Sequence, residues 1–95
     1  MLAFRTTGRF EKEFRLAVRR GKDVSKLQAV MRALVQEVPL DPRLRDHALK
    51  GEFSGRRECH VEPDWLLVYK REPDVVIFER TGTHADLFEE PASGG

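Results

Sequence analysis

Cysteine is almost absent from this chain. Cys59 stands alone, so no internal disulfide can form and no Cys-x-x-Cys pair exists. Long apolar runs are missing too, and none approaches the ~18 residues that a bilayer-spanning helix needs. The opening Met1-Leu2-Ala3-Phe4-Arg5 is too short an apolar stretch for a signal peptide. There is no internal repeat, low-complexity tract or linker. These absences lead us to expect a reduced, cytoplasmic setting with no membrane association. What is present fits one globular domain: 95 residues, 40% apolar and 35% charged, enough for a single core without disulfides or metals. We place that domain at residues 1–90 and expect a disordered tail over residues 91–95.

Net charge is also low, at +1, but it is unevenly spread. Residues 1–30 carry a local +5 and residues 61–95 a local −5. Such asymmetry suits either a solvated helix surface or a basic face that attracts phosphate, and charge counting does not separate the two.

Periodicity divides the chain in two. Leu2 to Thr6 reads as a short strand, and Thr6 or Thr7 can cap a following helix. Phe10, Phe14, Ala17 and Val18 recur at helical spacing, with Gly21 as the stop. Asp23 opens a second helix whose stripe is Val24, Leu27, Val30, Met31, Leu34, Val35 and Val38, closed by Pro39 and Pro42. The two helices are expected to form an antiparallel hairpin. Beyond Gly51 and Gly55 come three strands, Arg57 to Val61, Trp65 to Tyr69 and Val75 to Phe78, separated by Glu62-Pro63-Asp64 and Glu72-Pro73-Asp74. Trp65 to Tyr69 is apolar at both parities, as a strand covered on both faces would be. The fold class is therefore α+β, two layers, with a mostly antiparallel strand meander and a short C-terminal helix.

Three histidines, His47, His60 and His84, all fall in the strand-rich half. Glu58, His60 and Glu62 share one strand parity, while Cys59 should point the other way. His47 is expected in a loop or at a helix end. No HExxH or other tight ligand spacing is present, so no metal is expected. Ser25 and Ser54 lie in no nucleophile motif. Acid–base cleavage of RNA uses these residues without a cofactor, because the 2′-hydroxyl is the nucleophile. The protein then supplies a base, an acid and positive charge. Imidazole suits the first two roles, Arg80 the third, and Phe88 a base-stacking role.

Two blocks carry a resemblance. Gly55-Arg56-Arg57-Glu58-Cys59-His60-Val61-Glu62-Pro63-Asp64-Trp65-Leu66-Leu67-Val68-Tyr69 and Arg80-Thr81-Gly82-Thr83-His84-Ala85-Asp86-Leu87-Phe88 resemble the YafQ branch of the RelE-like toxins. His47 stands upstream, where that branch also has a histidine. The resemblance implies a RelE-like order of strand, two helices, meander and short helix. It also implies a type II toxin: a metal-independent endoribonuclease that cuts mRNA in the ribosomal A site. A cognate antitoxin, DinJ-like or RelB-like, would hold it inactive in a hetero-oligomer, with the free toxin monomeric. It assigns His47, His60, Asp64 and His84 to catalysis and Phe88 to the terminal aromatic, with Trp65 and Arg80 in or beside the pocket. We expect Lys50 and Arg80 to bind phosphate. Trp65 has a competing role as a core anchor. The rival functions are a non-catalytic module that binds RNA or the ribosome, and one that only docks an antitoxin.

Overall fold

Thr7 fixes where the first helix begins. It follows strand β1 (Ala3–Thr6), and its hydroxyl accepts from the Phe10 N–H at 2.9 Å while donating to the Glu79 carbonyl. Helix α1 (Gly8–Arg19) buries Phe10 and Ala17. It ends in a Schellman turn, with Lys22 N–H on the Ala17 carbonyl, Gly21 N–H on the Val18 carbonyl, and Gly21 at φ 80°. Asp23 then caps helix α2 (Val24–Val35), which buries Leu27 and Val30. That helix stops at a left-handed Glu37 (φ 60°) rather than at Pro39, because the Glu37 and Val38 N–H groups turn back onto Leu34 and Ala33. Val38 is consequently outside the helix and exposed, and Val18 is exposed on α1; neither joins the core expected of them.

The computed structural model describes residues 1–88, so the tail expected over residues 91–95 lies outside the described residues. One five-stranded sheet has the order β1-β5-β4-β3-β2, where β2 is His47–Ala48, β3 Arg57–Glu62, β4 Trp65–Arg71 and β5 Val75–Gly82. β3, β4 and β5 form the expected antiparallel meander, and β1 pairs with β5 in parallel. β2 was not anticipated: two residues are too few for a periodic signal, and only pairing of His47 with Glu58 and Ala48 with Arg57 makes it a strand. Short 3-10 turns, Pro42–Leu44 and Gly51–Phe53, flank it, and helix α3 (His84–Leu87) closes the described chain.

Both helices pack on one face of the sheet, over Cys59, Leu67, Tyr69, Val76 and Phe78. A smaller cluster of Leu66, Val68 and Leu87, with Leu49 and Phe88 against it, covers the other face. Trp65 to Tyr69 are all buried, as a strand covered on both faces requires. Among the described residues no helix is long and apolar enough to cross a membrane.

Candidate active site

β3 splits its residues between the two faces. Cys59 is fully buried in the helix-side core, and burial pushes its thiol up to about 12. His60, one residue on, projects from the opposite face. There the three imidazoles meet. The His47 and His60 rings stack with centroids 6.3 Å apart, and His60 and His84 lie 5.7 Å apart at 45°.

Each outer histidine is held by a carboxylate, and His47 by a backbone carbonyl as well. His47 Nδ1 lies 2.8 Å from the Arg45 carbonyl, which can only accept, so that nitrogen carries the proton. His47 Nε2 faces the buried Glu58 at 3.4 Å. His84 donates its backbone N–H to Asp64 Oδ1 at 2.9 Å, and its Nδ1 lies 2.6 Å from the same oxygen. Those bonds hold the Asp64 carboxyl below its ordinary range. The central His60 has no such support. Its Nδ1 is buried and has no hydrogen-bond partner among the described residues.

A cleft of about 610 Å³ opens over His60 and His84. Arg43 and Arg45 line it, together with Asp41 and Glu62. Arg43 is paired with Asp41, whereas Arg45 makes no ion pair among the described residues and sits in the left-handed region at φ 51°. Nothing in the sequence singled these arginines out. The segment carrying them is moored through Asp46, which takes Arg57 Nε at 2.6 Å and the Tyr69 hydroxyl. Burial, together with the Asp46 contact, pushes the Tyr69 phenol well above its usual value, so it stays a donor.

The other expected residues do not line the histidine cleft. The Arg80 guanidinium is paired with Glu13 of α1 (2.7 and 3.0 Å to Oε2), both side chains being mostly buried. It lines a separate cavity of about 210 Å³, behind α3. Trp65 lines that second cavity too, is 1% exposed, and donates its indole N–H to Thr81 at 3.0 Å; it is the core anchor. Phe88 is half-buried, edge-on to Phe53 at 5.1 Å, and does not line the histidine cleft. Lys50 is exposed and also outside that lining. Glu62 does not follow His60: a register shift between the two turns it to Lys22 and Lys26, at 3.0 Å each, so parity counting failed at the bulge. Glu62 still borders the cleft, but its carboxylate is taken by the two lysines, whereas Glu58 faces His47. No cluster of three or more His, Cys, Asp or Glu among the described residues is placed to hold a metal ion.

A strand–helix–helix unit running into an antiparallel meander, with imidazoles from β2, β3 and α3 gathered on the face away from the long helices, defines a RelE-like toxin domain. Residues 2–89 match the family described as a bacterial toxin of type II toxin–antitoxin systems, YafQ, and the chain belongs to that family. It is 46% identical to the mRNA interferase toxin YafQ of Escherichia coli K12, over 86% of this chain and 90% of that protein. The crystal structure of YafQ from E. coli BL21(DE3) superposes with a TM-score of 0.88 at 42% identity, covering 93% of this chain and 99% of that one. The toxin chain of the E. coli DinJ–YafQ complex gives 0.87 at 43% identity, with the same coverage.

Proposed function

We propose that this toxin is an endoribonuclease that cleaves mRNA in the ribosomal A site, by attack of the 2′-hydroxyl on the adjacent phosphate, with histidines as acid and base and no metal. The observation that carries the reading is the row of three imidazoles, its outer members each backed by a carboxylate, beside a cleft whose wall carries Arg45, unpaired among the described residues. The mRNA interferase activity is that of its 46%-identical relative.

His60 and His84 line the cleft and share the two proton transfers. Asp64 fixes the His84 ring through Nδ1, which leaves Nε2 to face the reacting atoms. His47, stacked on His60 and anchored by Glu58, completes the row. Arg45, which makes no ion pair among the described residues, takes the phosphate role first given to Arg80, because guanidinium forks onto the developing phosphorane charge from the cleft wall. A DinJ-like antitoxin is the partner that the solved complex of the relative supports. A purely binding role explains these observations less well, since phosphate binding needs only Lys and Arg and gives no reason for a row of three imidazoles.

The test is to map message ends after brief induction of wild type, His60→Ala and His84→Ala. Each substitution should lower cleavage by roughly two to four orders of magnitude, and cyclic phosphate ends at fixed codon phase should appear only with wild type. Near-wild-type cleavage by both variants would overturn the assignment.

A further inference from the structure

Two groups of the proposed site, Arg45 and His47, stand on a stretch with little regular structure of its own. It runs from a single 3-10 turn, Pro42–Leu44, through Arg45 to the two-residue strand β2. Arg45 lies in the left-handed region (φ 51°, ψ 45°), which a residue with a Cβ holds only where its surroundings impose it. Much depends on that one conformation. The Arg45 carbonyl meets His47 Nδ1 at 2.8 Å and keeps the ring proton there, while the Arg45 side chain lines the cleft.

Backbone bonds hold the stretch only at its ends. Upstream, the Leu44 and Arg45 N–H groups donate to the Asp41 and Pro42 carbonyls at 2.9 and 3.1 Å, closing the turn. Downstream, His47 pairs with Glu58 and Ala48 with Arg57, a ladder too short to be firm by itself. Asp46 lies between the two. Its carboxylate accepts from Arg57 Nε at 2.6 Å on one oxygen and from the Tyr69 hydroxyl on the other. Arg57 of β3 and Tyr69 of β4 are cross-strand partners, so one side chain ties the stretch to two strands at once. Hydrogen bonds to an ionised carboxylate are strong, and Tyr69 is buried. Asp46 shares a hollow with Leu34, Leu40, Arg57 and Tyr69 and takes no part in lining the histidine cleft. It therefore reaches the site only through the backbone it holds.

We propose that Asp46 is a positioning residue of the cleavage site. Held by Arg57 and Tyr69, it fixes the left-handed turn at Arg45, and with it both the His47 proton on Nδ1 and the guanidinium at the cleft wall. What His47 and Arg45 do there rests on the nuclease reading; how they are held does not.

The test reads both consequences in Asp46→Ala. Long-range proton–nitrogen correlation spectra of the folded protein above pH ~8, where an ordinary imidazole is neutral, show which His47 nitrogen bears the proton. Wild type should carry it on Nδ1, and Asp46→Ala should move it largely to Nε2 while leaving His84 unchanged. On ribosomes programmed with a defined mRNA, the single-turnover cleavage rate of Asp46→Ala should fall roughly ten- to a hundredfold, with the half-saturating toxin concentration near wild type. In an Arg45→Ala/His47→Ala background the same substitution should cost less than about twofold more, because nothing is left for it to position. Val30→Ala, which loosens the helix-side core, should lower Tm and move neither the proton nor the rate. Asp46→Asn and Tyr69→Phe each remove part of the contact, should shift both readouts less, and serve in place of Asp46→Ala if that variant does not fold. A proton that stays on Nδ1 in every variant would overturn the proposal. So would a wild-type rate with the proton displaced, or an undiminished rate loss once Arg45 and His47 are gone. Wild type that cleaves no message, with the proton still moved by Asp46→Ala, would support the positioning and remove the nuclease reading instead.

Discussion

Asp64 receives both the backbone and the ring N–H of His84 on one oxygen, and each donor favours the carboxylate over the acid. Its folded value lies below its ordinary 3.8, so the contact is intact above that pH and is lost only as pH falls through the depressed value. Across the neutral range the His84 ring therefore stays oriented. We expect Asp64→Asn to keep KM near wild type while lowering kcat, by less than removal of the His84 imidazole itself, which costs roughly two to four orders of magnitude. Single-turnover cleavage of a defined RNA checks this; an unchanged kcat would leave Asp64 without a positioning role.

Helix α3 is one turn long, too short to stand alone, and its placement is imposed from outside. Thr83 and Asp86 close a capping box, Arg20 at the end of α1 holds Asp86 at 2.8 Å, and Gly82 lies directly beneath. A Cβ on Gly82 would come within 2.9 Å of Asp86 Cβ and Oδ2. Gly82→Ala must displace that carboxylate, and we expect a loss of about 1–3 kcal/mol in urea unfolding together with weakened cleavage, because His84 moves with the turn. The Arg20 contact and the cap depress Asp86 from 3.8 to about 2. A depressed acid contributes stability above its unfolded value and surrenders it as pH falls toward the folded one. The difference in Tm between wild type and Asp86→Asn should accordingly be full above about pH 4 and vanish near pH 2. A pH-independent difference would show that the carboxylate charge is not what holds the turn.

Over the whole molecule, one core on the helix side and a smaller cluster on the other make β4 the common floor of both faces. Cys59 reports on the larger core: it is fully buried, and its thiol is pushed up to about 12. Alkylation under native conditions should be negligible and should accelerate in step with global unfolding across a urea titration. Labelling well below the unfolding transition would mean that β3 opens locally.

The sequence by itself determined the elements and the division of faces along β3. Helical and strand periods are set by neighbouring residues, so Thr7, Gly21 and Asp23 mark α1 and α2 locally, and Cys59 and His60 alternate wherever the strand is straight. The family blocks likewise pointed to the three histidines and Asp64, which the fold does bring together. Only tertiary structure decided that Arg80 belongs to Glu13, that Glu62 turns away past a bulge, that His47 joins a strand against Glu58, and that Arg43 and Arg45 reach the cleft. Each of these depends on which backbone edges meet across a large sequence separation. A charged side chain takes whichever opposite charge the packed backbone brings within reach, and no local pattern encodes that distance.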